Sequence, residues 1–161
     1  FLMCIITLMN VGVSINSVSK NNFLSLMKSY ERNFRLLRDL IDFRIITEKN
    51  ISKFFEAKPN ITDNSLRLNI CSISNHTAEI KFSYNFFPGN KFIEYVSLKI
   101  YFDSKQVEII DFNRSRKGIQ ANNIKSFHDI RLRKWYKNYF LHLWLKNCLQ
   151  KGYSFDLYSK V

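Results

Sequence analysis

The stretch AEIKFSYNF, residues 78–86, decides the fold, because its side chains alternate strictly between apolar and polar. A β-strand points successive side chains to opposite faces of its sheet, so this alternation is typical of a strand with one buried face. The turn formers SNHT at residues 74–77 precede it, and Pro88, Gly89 and Asn90 follow it. The stretch therefore predicts one strand of an antiparallel sheet, entered and left through turns.

Alternation of the same kind appears on both sides of this strand. One run begins at Leu66, before the first turn, and further strands are predicted at residues 95–102 and 106–112. A short additional strand near residues 51–56 would be ended by Pro59. Short turns between consecutive strands predict an antiparallel meander of four or five strands.

Two segments with apolar residues at every third or fourth position flank the strands. The first covers residues 22–41, and the second covers about residues 128–150, with Gly152 placed to end it. This spacing gathers apolar side chains on one side of an α-helix, and a sheet with one apolar face needs such a cover. The predicted fold class is α+β: an antiparallel four- to five-stranded meander covered by an N-terminal and a C-terminal helix.

The length and composition are typical of one globular domain. The 161 residues are 46% hydrophobic and 24% charged, and few Gly or Pro residues are available for a linker. We predict a poorly ordered N-terminal extension at residues 1–17, followed by a single α+β domain at residues 18–161. The apolar run at residues 1–9 is much shorter than the ~20 residues of a membrane-spanning helix, so no membrane span is predicted.

The cysteine pattern favours a reducing compartment. Cys4, Cys71 and Cys148 are odd in number and far apart, which favours neither a disulfide framework nor a zinc site. Cys148 falls on the apolar stripe of the second helix, where an ordinary buried thiol is expected. The predicted location is the cytoplasm.

The two predicted helices carry specific residues in a recognisable order. The first reads FLSLMKSYERNFRLLRDLI over residues 23–41, and the second reads NYFLHLWLKNCLQKG over residues 138–152. In these residues the chain resembles the YqiB-like family of uncharacterised bacterial proteins, a family of domains of unknown function, over roughly residues 20–152. The matching positions are Leu26, Met27, Tyr30, Glu31, Asn33, Phe34 and Leu37 in the first helix, and Asn138, Phe140, Leu141, Trp144, Leu145, Cys148, Leu149 and Gly152 in the second.

The resemblance implies a helix–sheet–helix fold but no activity, because none is established for the family. It also places residues 1–17 before the family's usual start. One departure concerns an acidic pair that precedes the Asn of the family's closing helix, since Leu132 and Arg133 occupy those positions here. A role that depends on those carboxylates is therefore not expected in this chain.

The sequence offers few groups for catalysis. His76, His128 and His142 fall in a turn, at a helix start and among apolar helix residues, and no zinc-protease, phosphate-loop or dinucleotide-binding motif occurs. Glu108 and Asp111 are the most concentrated acidic pair, but their spacing in a strand predicts that they point to opposite faces. We predict no catalytic residue, no metal site, no cofactor and no small-molecule ligand.

Positive charge is the strongest local signal. The formal net charge is +12, and eight Lys or Arg residues accompany a single acid, Asp129, within residues 113–137. Clustered cations bind polyanions, and a tryptophan among them can stack on exposed bases. A competing explanation is a genome rich in AT codons, which raises Lys together with Ile, Asn and aromatic residues. The predicted contact residues are Arg114, Arg116, Lys117, Lys125, Arg131, Arg133, Lys134, Lys137 and Trp135.

Aromatic residues of the second helix bear on the kind of partner. Their number exceeds what one buried stripe of a helix readily accommodates. If they are exposed, they mark a site for a partner, and if the helix is buried against the sheet, they belong to the core. The predicted function is a non-enzymatic cytoplasmic binding or accessory domain with an unknown protein partner. The alternative is RNA or DNA binding through residues 113–137, and an enzyme of unrecognised type ranks third. The aromatic residues are Trp135, Tyr136, Tyr139, Phe140 and Trp144.

Overall fold

The structure, a computed structural model, describes two helices and five strands. The described residues are 23–59, 64–84, 94–112 and 127–156. In chain order the elements are helix α1 (Phe23–Leu40), strands β1 (Phe54–Ala57), β2 (Leu66–Ile73), β3 (Thr77–Tyr84), β4 (Glu94–Tyr101) and β5 (Gln106–Phe112), and helix α2 (Phe127–Gln150). Two 3₁₀ turns, Phe43–Ile45 and Glu48–Asn50, connect α1 to β1. The extension predicted at residues 1–17 lies outside the described residues.

The strands form an antiparallel sheet in the order β1-β2-β3-β4-β5. Leu68 lies opposite Phe82, and Ile80 lies opposite Leu98. Because residues that pair across strands share a face, the alternation in each strand collects the apolar side chains on one side of the sheet. The meander predicted from the alternation is confirmed, with the short strand β1 as its fifth member.

Both helices contribute to the core that covers the apolar face. Leu37 of α1 and Leu141 of α2 are completely buried. Trp144 of α2 packs on Phe82 of β3, and their ring centroids are 5.0 Å apart. Removing these side chains from water is the main favourable contribution to folding. The predicted α+β fold class, with a helix before and a helix after the sheet, is confirmed.

The end of α2 is tied back to the end of α1. Gly152 has a φ of 81°, a conformation that glycine adopts without a Cβ clash. Its amide donates to the carbonyl of Leu149, and the amide of Tyr153 donates to the carbonyl of Cys148, which together form a Schellman cap. The chain then turns so that Phe155 forms a parallel bridge with the residue after α1. The predicted helix end near Gly152 is confirmed.

Strand β5 contains an irregularity that corrects one expectation. Residues 97–98 of β4 pair with Asp111 and Ile109, so Ile110 is an extra residue in the ladder. A β-bulge of this kind shifts the alternation by one position. Glu108 and Asp111 therefore lie on the same polar face of the sheet. The prediction that they point to opposite faces was wrong, because it assumed an unbroken period of two.

The polar face of the sheet balances many of its own charges. Its ion pairs and side-chain hydrogen bonds include Arg67 with Glu56, Lys99 with Glu79, Tyr95 with Asp111 and Tyr101 with Glu108. Exposed ion pairs contribute little stability, typically about 0–1 kcal/mol each. Their consequence here is electrostatic, since they leave little unbalanced charge on this face.

Candidate functional site

The structure places the described members of the predicted contact set on two sides of α2. Arg133, Lys134 and Lys137 line a cleft beside β5, whereas Trp135 lines a groove beside α1. Arg131 belongs to the first turns of α2, but its side chain is outside the described part of the structure. The remaining members, which all precede α2, lie outside the described residues: Arg114, Arg116, Lys117 and Lys125.

The lysines on the β5 side already have partners. The Lys134 Nζ lies 3.7 Å from a carboxylate oxygen of Glu108. The Lys137 Nζ donates to the carbonyl oxygen of Ile110 at 3.3 Å and lies 5.7 Å from the ring centroid of Phe112. The bulge in β5 thus helps to hold Lys137 against the sheet. Glu108 in turn balances the charge of Lys134, which reduces its attraction for an external anion.

Trp135 and Tyr139 form a stacked pair on the other side of α2. Their ring centroids are 5.5 Å apart with an interplanar angle of 10°, and Tyr136 meets Trp135 edge-on at 83°. Tyr139 keeps 42% of its surface exposed and Trp135 is half-buried, whereas Phe140 and Trp144 belong to the core. The aromatic residues of α2 therefore divide between the core and the surface.

The stacked pair lines a groove between α1 and α2, which we call the helix groove. Its volume of about 430 Å³ lies within the range of small-ligand sites. Its lining includes Lys28, Ser29, Arg32 and Asn33 of α1, and Trp135, Asn138, Tyr139 and His142 of α2.

Sequence reasoning missed the α1 side of the helix groove. None of the predicted contact residues belongs to α1, so Lys28 and Arg32 are absent from the predicted set. One available signal was their spacing of four residues, which places both on one side of the helix. A second signal was Asn33, a polar residue next to the apolar stripe of α1 that is completely buried in the structure. Buried polar residues normally have a hydrogen-bonding reason to be there.

Asn33 and Asn138 join the two helices at the base of the helix groove. Asn33 Nδ2 donates to the backbone carbonyl of Asn138 at 2.9 Å, and Asn138 Nδ2 donates to the carbonyl of Lys134 at 2.9 Å. Because a carbonyl oxygen only accepts, the amino group of Asn33 must be the group that faces it. The Asn33 Oδ1 is therefore buried without a hydrogen-bond partner in the part of the chain that the structure describes.

His142 is the second group in the helix groove with an unmade hydrogen bond. Its Nδ1 is buried and has no partner. Burial lowers the pKa of His142, and the nearby charges of Arg32 and Lys146 lower it further. The imidazole is therefore neutral at pH 7, and one of its nitrogens remains available as a donor or an acceptor.

Cations around the helix groove lack anionic partners. Lys28, Arg32 and Lys146 are exposed, and none of them forms an ion pair with a carboxylate in the described part of the chain. Arg32 and Lys146 both act on His142, so charge from α1 and charge from α2 meet at this groove. The result is unbalanced positive potential beside an exposed aromatic surface.

A second cleft, of about 420 Å³, lies where α1 meets β5. Burial, together with the charge of Glu108, raises the pKa of Tyr30 to about 12. Burial and a hydrogen bond to Glu108 raise the pKa of Tyr101 to about 12. The Tyr101 hydroxyl donates to one oxygen of Glu108 at 2.7 Å, and Lys134 lies 3.7 Å from the other. These polar groups satisfy one another, and both phenols stay protonated at neutral pH.

Potential catalytic groups are scattered over the described residues. No group of three His, Cys, Asp or Glu side chains among them is arranged to hold a metal ion. His76 pairs with Asp103 at 2.7 Å in an exposed position, and the side chain of His128 is not described. Cys148 is buried, as expected from the apolar stripe. No helix in the described ranges has the length and apolar character needed to cross a membrane.

Comparison with known proteins identifies a family but no characterised relative. No curated protein and no solved structure matches the chain. A family model described as "Protein of unknown function (DUF1249)" matches residues 34–154, which extend from the middle of α1 to beyond the cap of α2. The match includes Trp135, Asn138 and His142 of the helix groove. The chain therefore belongs to the DUF1249 family of proteins of unknown function.

Proposed function

We propose that this chain is a non-enzymatic binding domain that contacts an anionic macromolecule through the surface around the helix groove. The observation that carries the proposal is the partly exposed Trp135–Tyr139 stack beside Lys28 and Arg32, cations that pair with no carboxylate of the described residues. Unpaired cations attract an anionic partner, and exposed aromatic rings supply contact area. The charges on the polar face of the sheet are instead largely paired, which makes that face the weaker candidate.

The proposal includes the predicted basic segment. Arg114, Arg116, Lys117 and Lys125 lie just before α2 in the sequence and would add to the positive potential near its first turns. It also includes a cytoplasmic location, which the odd number and wide spacing of the cysteines support. The helix residues that match the YqiB-like family support a bacterial origin.

Two classes of partner are compatible with this surface. An acidic protein is the first candidate, because half-exposed aromatic residues are typical of the core of a protein–protein interface. Nucleic acid, contacted also through residues 113–137, is the second candidate. The parallel stack of Trp135 and Tyr139 favours it, since single-strand binders use exposed rings in this way. The scattered placement of acid–base groups supports binding rather than catalysis.

Affinity capture with charge-reversed variants tests the proposal. Lys28→Glu with Arg32→Glu reverses two charges at the helix groove, and Lys49→Glu with Lys53→Glu makes the same change near β1, at the opposite edge of the sheet from β5. We expect the first double variant alone to lose the partner captured by the native chain, as detected by mass spectrometry. Nuclease treatment before capture separates a protein partner from a nucleic acid.

If both double variants lost the captured partner equally, the proposal would be contradicted, because binding would then depend on the net charge of the chain and not on the position of the charges. Arg116→Glu with Lys117→Glu forms a third arm. We expect partial loss of the partner in this variant if the basic segment contributes to the contact.

A further inference from the structure

We propose that the helix groove binds single-stranded nucleic acid by accepting one unstacked base against Trp135 and Tyr139. The proposal rests on the proposed function and specifies its partner. It moves the centre of the site from the basic segment before α2 to the junction of the two helices.

The stack provides a surface of the right kind for a base. Trp135 is held in place by Tyr139 on its face and by Tyr136 at its edge, so little side-chain entropy remains to be lost on binding. Tyr139 keeps 42% of its surface exposed, so the stack presents aromatic surface to solvent. Aromatic platforms of this kind accept any base, because every base has a π face.

The unmade hydrogen bonds provide groups that can read the edge of a base. Asn33, which lines the groove, is 0% exposed, and its Oδ1 has no donor among the described residues. The Nδ1 of His142, from the other helix, is similarly unpartnered. A carbonyl acceptor and a neutral imidazole nitrogen are complementary to the amino, imino and carbonyl groups of a base. The buried position of both atoms implies that the base edge must enter between the helices.

The cations provide the contacts for phosphate. Lys28 and Arg32 line the groove from α1, and Lys146, one turn beyond His142 on α2, is near enough for its charge to act on His142. Each phosphate neutralised by such a group releases a counterion, which makes the affinity depend on salt. The second cleft, between α1 and β5, lacks this combination, because Tyr101, Glu108 and Lys134 already satisfy one another.

Fluorescence anisotropy with labelled oligonucleotides tests the inference. The probes are single strands of about 12 nucleotides, a length that spans typical binding sites, together with the matching duplex and thymidine monophosphate. We expect the single strand to bind most tightly, the duplex more weakly because its bases are stacked, and the mononucleotide weakest because it contacts fewer cations. Between about 50 mM and about 200 mM salt the affinity should fall steeply.

Variants at Trp135 separate stacking from charge. We expect Trp135→Ala to weaken single-strand binding by about 10-fold or more, and Trp135→Phe to restore most of the affinity. Arg32→Ala should lower the slope of the salt dependence by about one. Lys99→Ala is the control, because its ammonium group lies 3.7 Å from a carboxylate oxygen of Glu79 on the polar face of the sheet. Thermal unfolding of each variant confirms that the fold is retained.

Asn33→Leu tests whether the base edge is read. The substitution removes the unpartnered Oδ1 but also the Nδ2 that donates to the Asn138 carbonyl, so some loss of stability is expected. The preference of the native chain among oligo(dT), oligo(dA) and oligo(dC) should be lost. His142→Leu tests the same readout from the other helix if Asn33→Leu does not fold. A native chain that binds all three oligonucleotides equally would overturn this part of the inference.

The outcomes also distinguish this inference from the proposed function. Equal binding of duplex and single strand, or no effect of Trp135→Ala, would overturn the inference, while the charge-reversal result would still decide the proposed function. Thymidine monophosphate binding as tightly as the oligonucleotide would overturn the assignment to a strand and indicate a free nucleotide. No oligonucleotide binding at about 50 mM salt would overturn the inference and leave an acidic protein as the partner to be tested by capture.

Discussion

At the scale of single residues, the helix groove is defined by polar atoms that the fold leaves unsatisfied. A buried polar group without a hydrogen bond costs about 1–3 kcal/mol, so such atoms are uncommon in folded proteins. Asn33 and His142 each carry one, and they lie on different helices that line the same groove. Both also lie near Arg32, whose charge is not paired. Residues that lower the stability of the fold are expected at the sites where a protein binds its partners.

The histidine gives a prediction for pH dependence. The pKa of His142 in the folded chain lies below the usual 6.5, so the unfolded chain takes up the proton first as the pH falls. The free energy of unfolding should therefore decrease as the pH drops below about 6.5. Urea denaturation at about pH 7.5 and about pH 5.5 measures this decrease in the free energy of unfolding. His142→Gln, whose side chain cannot be protonated, should make the decrease smaller. His76→Gln, at an exposed position, should leave the decrease in place, and a flat native profile would contradict the prediction.

At the scale of secondary-structure elements, the bulge in β5 decides how the sheet meets α2. The extra residue Ile110 turns its own side chain outward and restores the apolar face at Phe112, which stacks on Phe140 of α2. It also presents its carbonyl to Lys137. An unbroken strand would place Asp111 toward the helices, where burying its charge would be costly.

Adjacent isoleucines in β5 test this geometry. Ile109 is 5% exposed and Ile110 is 43% exposed. Ile109→Ala should lower the free energy of unfolding by about 2–4 kcal/mol, because it leaves a cavity in the core. Ile110→Ala should change it by less than about 0.5 kcal/mol. Urea denaturation of both variants is the measurement, and similar losses would show that the bulge is placed elsewhere.

At the scale of the whole molecule, contacts between residues far apart in sequence hold the segment after α2 against the end of α1 and against the sheet. Phe155 packs on Phe82 at 5.8 Å between ring centroids, its carbonyl accepts from the amide of Asp42, and its own amide donates to the carbonyl of Leu40. These bonds hold the ends of α1 and α2 together at one end of the helix pair. Asn33 and Asn138 fix the helices at a second point.

Phe155 should therefore be important for stability although it lies near the end of the described chain. Phe155→Ala should lower the free energy of unfolding by about 3–5 kcal/mol, because it removes a fully buried ring from the centre of the core. Phe54→Ala is a suitable control, since Phe54 is an exposed aromatic residue of β1. Thermal and urea unfolding measure both variants, and comparable losses would contradict the assigned role of Phe155.

Local patterns were sufficient for the elements and for much of the core. The strict alternation at residues 78–86 and the helical spacing of both flanking segments predicted the meander and its cover. They did so because the period of a pattern reflects the geometry of a strand or a helix directly. The Gly152 cap was predictable for a similar reason, since few other residues tolerate a positive φ. The bulge was not predictable, because the alternation of apolar and polar residues does not show where one extra residue interrupts the strand pairing.

The sequence by itself determined the fold class, the faces of the helices and the excess of positive charge. Only the tertiary structure decided which charges remain unpaired. Lys134 and Lys137 are drawn toward β5 by packing between distant segments, while Lys28 and Arg32 of α1 are brought beside Trp135 of α2. Sequence spacing describes neighbours within one element, whereas a binding surface depends on which elements meet. The helix groove exists because two helices, separated by the whole sheet in sequence, pack against each other.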